Sequence, residues 1–313
     1  MKKTKIFVPL FFIAFLAETV LNASALDQKL FFDTSAKQDG RIHVEKNEDA
    51  IKAIPQDYQF VNKDKLTIAV TPSDPPLSFY ASDAKTPVGS EVDFASAIAE
   101  SLGKQLELVA IPWIDWSLGL SSGKYDAVLA NIGVTEARKK KFDFSTYRKG
   151  IHGFYVKSDS PIKKIEKPED LAGYRVIVGG GTNQERIMLR WNDIVTHEKL
   201  KPIVLQDYDD SAAKLLALQS GRADVIVGPH AQLVYFSLRD NNLRKVGTLI
   251  AGWPDRSDVS VVTRKSSGLA EPVTIAINGF IKSGAYGKIL EKWHLEDEAL
   301  NVSETNPKGM AEE

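Results

Sequence analysis

The chain has 313 residues, 40 of them Lys or Arg and 41 Asp or Glu, for a formal charge of −1, and it contains no cysteine. That balance gives no electrostatic reason to expect nucleic acid or an anionic membrane as a partner. The lack of thiols excludes disulfides, cysteine nucleophiles, thiolate metal sites and a lipid-modified N-terminal cysteine. Residues 1–25 read as a secretory signal peptide. Lys2, Lys3 and Lys5 precede an apolar run over 6–21, broken by Pro9 and Glu18, and Ala23-Ser24-Ala25 supplies a small-x-small cleavage site. The run is too short for a membrane anchor, and no second apolar span follows. Cleavage leaves 37 basic and 40 acidic side chains. A mature chain of that length buries a sizeable core without disulfides and suggests two lobes.

Residues 26–62 carry mixed charge and weak periodicity, and read as an extension packed on, or loosely tethered to, the first lobe. A strand is predicted at 66–70. Over 91–102, Val92, Ala95, Ile98, Ala99 and Leu102 share one helical face, and Gly103 ends the helix. Strands follow at 106–111 and, as a short apolar run fit for a buried parallel strand, at 126–130. A second α/β unit has strands at 175–178, 202–205 and 223–227, a glycine turn at 179–183 that opens a helix, and a helix at 211–220. Leu120-Ser-Ser-Gly-Lys-Tyr-Asp-Ala-Val is echoed by Leu218-Gln-Ser-Gly-Arg-Ala-Asp-Val-Ile. Each copy has the signature of a helix stopped by Gly and fed into a buried strand. Apolar, β-branched stretches at 150–156 and 258–263 suit the crossings between lobes. Helices at 271–283 and 286–293 return to the first lobe, and the polar stretch 297–313 is expected to fray.

In open parallel sheets, ligands bind beyond the carboxyl ends of the strands. Four segments follow such ends: 71–79, 131–138, 179–184 and 228–232, two from each lobe. In 131–138, Thr135 stands where a helix N-cap would, with Arg138 three residues on. A helix start offers amides and partial positive charge, and Arg138 adds a fork matched to a carboxylate. The turn at Gly181-Thr182-Asn183 also has amides suited to an anion. It is neither a Gly-x-Gly-x-x-Gly motif nor a phosphate loop, so a nucleotide is not indicated. Tyr208-Asp209-Asp210 reads as a capping turn. There is no Gly-x-Ser-x-Gly, no His-Glu-x-x-His, and no cluster among the five His, so no enzyme, metal or cofactor is indicated.

The order Gly89-Ser-Glu-Val-Asp-Phe-Ala, then Ser122-Gly-Lys-Tyr-Asp-Ala-Val, then Gly133-Val-Thr-Glu-Ala-Arg138 resembles the amino-acid-binding family (family 3) of bacterial periplasmic solute-binding proteins, the soluble receptors of ABC importers. The resemblance runs from about Leu66 to Trp293. It implies a two-lobe type II periplasmic-binding-protein fold, each lobe a mostly parallel sheet flanked by helices, joined by a two-strand hinge. The implied divisions are signal peptide 1–25, extension 26–62, lobe 1 at 63–150 plus 260–296, lobe 2 at 151–259 and a polar tail at 297–313. It further implies a periplasmic monomer that closes on a small anionic or zwitterionic ligand, an amino acid or derivative, and delivers it to an inner-membrane permease. A sensing module or a dehydratase-like enzyme is a further alternative.

The resemblance also suggests roles for residues. The family pattern Ser-x-Thr-x-x-Arg, whose Arg grips the ligand's α-carboxylate, maps onto Gly133, Thr135 and Arg138, following Asn131, with Gly in place of Ser. Thr182 and Asn183 would give a second carboxylate contact. Trp113 and Trp116 fall in the segment that lines the side-chain end, and only one of them can face the cleft. Asp74, near a position where relatives often stack an aromatic, either meets a cationic group or merely starts the turn before Pro75. Pro229 stands where relatives commonly carry the Asp that binds the α-ammonium. Either the ligand lacks that ammonium, as a non-amino organic acid or sulfonate does, or another acid replaces it. His230 either faces an anion or is structural.

Overall fold

The structure is a computed structural model that describes residues 33–73, 75–208 and 210–311. The signal peptide, the start of the extension and Asp74 lie outside the described residues.

Two five-stranded sheets organise the chain from Thr34 onward. The first contains β1 (Lys65–Val70), β4 (Gln105–Ala110), β5 (Ala127–Gly133), β6 (Phe142–Arg148) and β12 (Val259–Arg264), in the order β4-β1-β5-β12-β6. The second contains β7 (Ile151–Lys157), β8 (Arg175–Val178), β9 (Val204–Asp207), β10 (Val225–Pro229) and β11 (Leu243–Ile250), in the order β11-β7-β10-β8-β9. A short hairpin, β2 (Phe79–Tyr80) with β3 (Pro87–Val88), sits beside the first sheet's α/β unit. Strands linked through helices run parallel: β4, β1 and β5 in one sheet, β9, β8 and β10 in the other. The strands adjoining the crossings, β6, β7, β11 and β12, pair antiparallel. The chain crosses between the sheets twice, from Arg148 to Ile151 and from Ile250 to Val259.

The internal echo has a physical basis. In both copies the glycine adopts a left-handed conformation, Gly123 at φ +74° and Gly221 at φ +73°, which a side chain would strain. Next, Asp126 and Asp224 each tie their strand to its parallel neighbour. The Thr67 amide donates to Asp126 Oδ2 at 3.0 Å while the Asp126 amide donates to the Thr67 carbonyl at 2.8 Å. The Arg175 amide donates to Asp224 Oδ2 at 2.8 Å while the Asp224 amide donates to the Arg175 carbonyl at 2.9 Å. One short carboxylate thus sets the register between adjacent strands in each lobe.

Each sheet has a core on both faces. In the second lobe, Ile187, Met188, Trp191 and Val195 form the buried stripe of the Asn183–His197 helix, and Trp191 stacks on Phe154 with centroids 5.5 Å apart. In the first lobe, Phe94 of the Ser90–Ser101 helix packs against Tyr147, Phe280 and Tyr286. The extension is packed on this lobe. Arg41 donates to Asp93 at 3.0 Å, His43 meets Glu100 at 2.7 Å, and Ala50 is fully buried. Asp93 also accepts from Lys292 and from the Trp293 indole, so one buried carboxylate joins the extension, the Ser90–Ser101 helix and the end of the last helix.

The polar C-terminal segment, expected to fray, is instead ordered against both lobes as far as Ala311. The Ser303 hydroxyl donates to the Thr146 carbonyl at 2.6 Å, Asn306 Nδ2 donates to Asp143, and the Glu136 amide donates to the Met310 carbonyl at 2.9 Å. Met310 itself is fully buried in the second lobe's core with Ile187 and Trp191. The polar composition of the segment hides this, because many of its polar groups answer one on lobe 1.

Asp126 accepts from two backbone amides, those of Thr67 and Val61, and from the Tyr58 hydroxyl. Replacing Asp126 by Ala leaves these donors without an acceptor, the Thr67 amide fully inside. The expected cost is about 3 kcal/mol or more, read as a shift in urea midpoint. A loss below about 1 kcal/mol means other groups hold the extension and the strand register.

Candidate functional site

The carboxyl ends of both sets of parallel strands open onto one cavity of about 800 Å³. Lobe 1 contributes Thr71, Trp113, Asn131, Gly133 and Arg138, and lobe 2 contributes His152, Thr182, Asn183, Lys214 and Gln232. The lobes are bridged over it, Gln232 Nε2 donating to Ser73 Oγ at 3.0 Å. Its floor is the hinge. A Cβ on Gly150 would stand 2.1 Å from the Ser257 carbonyl oxygen and 2.7 Å from Ala251 Cβ. Only glycine lets the two crossing segments lie this close.

Arg138 is held by the short Glu136–Lys139 helix, whose N-cap is Thr135. Its guanidinium lies 5.9 Å from the Trp113 ring centre and 5.8 Å from that of Trp116, and NH1 donates to the Gly133 carbonyl at 2.9 Å. Among the described residues it has no carboxylate partner. Burial, and secondarily the like charge of Arg186, push its pKa down to about 10. A desolvated cation beside two indoles, with most of its N–H groups uncommitted, is poised to take an anion.

The remaining predicted site residues divide. Asn131, Gly133, Trp113, Thr182 and Asn183 line the cavity. Thr135 does not. It is 1 % exposed and its hydroxyl oxygen accepts from the Arg138 amide at 3.1 Å. Trp116 packs into the lobe 1 core against Phe142 instead of facing the cleft. His230 turns away from the cavity to Tyr155, with Nδ1 3.2 Å from the hydroxyl. Pro229 lines the cavity and stands at the N-cap of the His230–Asp240 helix.

Five amides of these turns are committed internally. The Val134, Glu136 and Arg138 amides donate to Asp258, Met310 and Thr135. In the facing turn, the Gly180 amide donates to Asp207 at 2.8 Å and the Gly181 amide to Glu185 at 2.7 Å. The space that a Ser at 133 would need is also filled. A Cβ there would meet Ser257 Oγ at 2.4 Å and Asn183 Nδ2 at 2.8 Å. Ser257 in turn donates to the Val134 carbonyl at 2.7 Å. These five amides are not available to an anion, whereas those of Thr135, Thr182 and Asn183 donate to no group among the described residues and stand beside the charge of Arg138.

Three cavity groups were missed by the sequence reading. Glu91 is 1 % exposed and accepts from the Tyr147 hydroxyl at 3.2 Å and from the Asn131 amide. It stands four residues before Ala95, on the apolar stripe, and an acid there was the available signal. Asn131 Oδ1, at a residue held with φ +52°, accepts from Arg148 at 2.5 Å and so ties the cavity wall to the hinge. His152 is 5 % exposed, and burial pushes its pKa down to about 4. It shares a face of β7 with the buried Phe154 and Val156, another polar residue at an apolar position. Lys214 lines the far wall.

Burial raises the Glu91 pKa from 4.5 to about 7, against the pull of Arg148. Between those values the folded protein holds a proton that the unfolded chain has released. Its contribution is therefore complete below about pH 4.5 and is lost as pH rises through 7. From about pH 4 to about pH 8 the wild type should lose about 3 kcal/mol relative to Glu91→Gln, measured by urea unfolding at each pH. Parallel pH profiles for the two proteins would mean that Glu91 stays ionised in the fold.

The profile of the bacterial extracellular solute-binding proteins, family 3, matches residues 66–296. The L-cystine-binding protein TcyJ of Escherichia coli is 32 % identical over 232 residues, 73 % of this chain and 82 % of that protein. The glutamine-binding protein GlnH of an ABC transporter in Bacillus subtilis is 26 % identical over 216 residues, 67 % of this chain and 74 % of that one. Among solved structures, an ancestral arginine-binding protein bound to arginine superposes with a TM-score of 0.63 at 30 % identity, covering 74 % of this chain and 98 % of its own. With a cavity between two α/β lobes and a profile match over most of its length, the chain belongs to the family 3 extracellular solute-binding proteins and has their type II periplasmic-binding-protein fold.

Proposed function

We propose that this protein is the periplasmic receptor of an ABC importer, capturing a small carboxylate-bearing solute in the interlobe cavity by hinge closure and presenting it to an inner-membrane permease. The observation that carries the reading is Arg138: a guanidinium at the cavity wall with no acidic partner among the described residues, set beside the indoles of Trp113 and Trp116. A ligand carboxylate would relieve its desolvation, and groups from both lobes line the same space, so the solute is fully enclosed only when the lobes are together. No helix among the described residues is long and apolar enough to cross a membrane. Relatives named for amino acids support an amino acid or derivative as ligand.

One observation favours a solute without an α-ammonium. Pro229 puts no side-chain acceptor at its place on the cavity wall, and the one carboxylate among the described lining residues, Glu91, is engaged by Tyr147 and Asn131. With Arg138 on the wall, the described cavity suits a non-amino organic acid or a sulfonate.

Two variants test these readings in a thermal-shift and calorimetric panel of L-cystine, L-glutamine, L-arginine, their des-amino counterparts and sulfonates. Arg138→Ala should weaken whichever compounds bind by about 2–5 kcal/mol, as expected when one partner of a buried charge pair is removed. Unchanged affinity would take Arg138 out of the site. Pro229→Asp keeps a good helix N-cap and adds a carboxylate to the wall. It should shift preference toward the α-amino acids by about tenfold, the effect of one added charge-assisted hydrogen bond. If wild type already prefers the α-amino acids and Pro229→Asp changes nothing, the ammonium partner lies elsewhere.

A further inference from the structure

Three polar side chains on the cavity wall have buried atoms without a hydrogen-bond partner among the described residues: Thr71 Oγ1, Asn183 Oδ1, and both ring nitrogens of His152. Buried polar groups are almost always satisfied, so such orphans on a binding cavity need an explanation. His152 is the strongest. It stands on β7 in register with Pro229 on one side and Leu249 on the other, and only 5 % of it is exposed. Neither nitrogen makes a properly aligned bond, although the Ala251 carbonyl is near enough to favour the protonated ring slightly. Asn183 reaches the same carbonyl. Its Nδ2 donates to Ala251 at 3.1 Å and to Ser257 Oγ at 2.9 Å. Both amide hydrogens are thereby spent, which fixes the side chain and leaves Oδ1 to accept.

We infer that His152 and Asn183 Oδ1 form a neutral hydrogen-bonding subsite at the lobe 2 side of the cavity floor, which reads an uncharged polar group of the solute, a carboxamide or a hydroxyl, while Arg138 holds its carboxylate. The inference rests on the reading of this cavity as a carboxylate-capture site. The chemistry follows from the atoms. A neutral imidazole offers one acceptor and one donor, and the amide oxygen offers a second acceptor. A carboxamide or hydroxyl both donates and accepts, and so satisfies such a set. A cationic group would bring an uncompensated charge into a buried space already holding Arg138, and an alkyl end would leave every orphan unpaired. Burial keeps the ring neutral through the physiological range, so its bonding pattern does not change with ordinary pH.

The alternative is that His152 is simply a poorly satisfied core residue, and the two roles move stability and binding differently. The panel is a set of straight-chain carboxylates of about three to six carbons ending in a carboxamide or hydroxyl, each against the n-alkanoate of matching length, titrated by calorimetry into wild type, His152→Leu and His152→Gln. Wild type should prefer the polar-ended compounds by about tenfold or more, since a site built to hydrogen-bond a group rejects the analogue lacking it. His152→Leu should abolish that preference while keeping or raising alkanoate affinity, and its unliganded melting temperature should hold or rise, because two orphaned nitrogens have gone. His152→Gln, which restores a donor and an acceptor in case Leu packs badly, should keep part of the preference. Polar-ended and alkyl compounds bound equally well, or a preference that survives both substitutions, overturns the subsite and leaves the capture reading intact. No binding of any carboxylate to wild type overturns both.

Discussion

Arg148 is the constraint on which the rest of the molecule turns. It is the last residue of β6, 1 % exposed, at the point where the chain leaves lobe 1. It ion-pairs with the buried Glu298 and donates to Asn131 Oδ1. A charge this deep costs several kcal/mol in desolvation, and it persists only because each partner is itself fixed. Glu298 comes from the C-terminal segment and Asn131 from the end of β5, while Glu91 of the Ser90–Ser101 helix accepts from Tyr147 and the Asn131 amide close by. One guanidinium therefore fixes the hinge, the cavity floor and the returning C-terminus relative to one another.

That arrangement gives the C-terminal segment a mechanical place. Ser303, Thr305 and Asn306 bind along β6, while Met310 is buried among Ile187 and Trp191 of lobe 2. Arg190 in that lobe donates to the Ala311 carbonyl at 3.0 Å. Besides the two covalent crossings, then, a third stretch of chain connects the lobes behind the cavity. Relative motion of the lobes has to bend this stretch or draw Met310 from its core, and burying a methionine side chain stabilises by about 1.5–3 kcal/mol. The hinge floor is similarly tight, with Gly150 against Ser257 and Ala251. On the proposed hinge motion, opening would be confined to the few backbone positions between Arg148 and Ile151 and between Ile250 and Val259.

Much of this was legible in the sequence where a single local rule decides the outcome. The parallel strands are short apolar runs, the glycines at 123 and 221 need left-handed backbone, and Thr135 caps the turn that carries Arg138. What escaped has a common cause: polar residues whose partners are remote in sequence. All seven residues of β6 are buried, including Asp143, Ser145, Thr146 and Arg148, and their partners arrive from Lys265, Ala270, Glu304 and Glu298. No periodicity reveals such a strand. The same matching made 297–313 read as a loose tail. In the site, the Gly180 and Gly181 amides looked available because an unpaired amide and one satisfied by Asp207 or Glu185 are identical in sequence. Glu91 and His152 were detectable in principle, as polar residues set on apolar faces.

The commitment of five turn amides within the protein bears on how selectivity can arise in this cavity. An anion bound by many amides is recognised by shape as well as charge, because each donor is directional. An anion bound by Arg138 with the few remaining turn amides is recognised mainly by charge, by the fork geometry of the guanidinium and by the Trp113 face beside it. Carboxylates of many kinds satisfy those terms about equally, so on the proposed reading Arg138 would supply affinity with little discrimination. Selection then has to come from the opposite wall, where Pro229 offers no charge, and where His152 and Asn183 hold the unspent hydrogen-bonding capacity. Leaving those atoms unpaired costs free energy when the cavity holds the wrong solute, and that cost, more than any extra attraction toward the right one, is what separates one carboxylate from another.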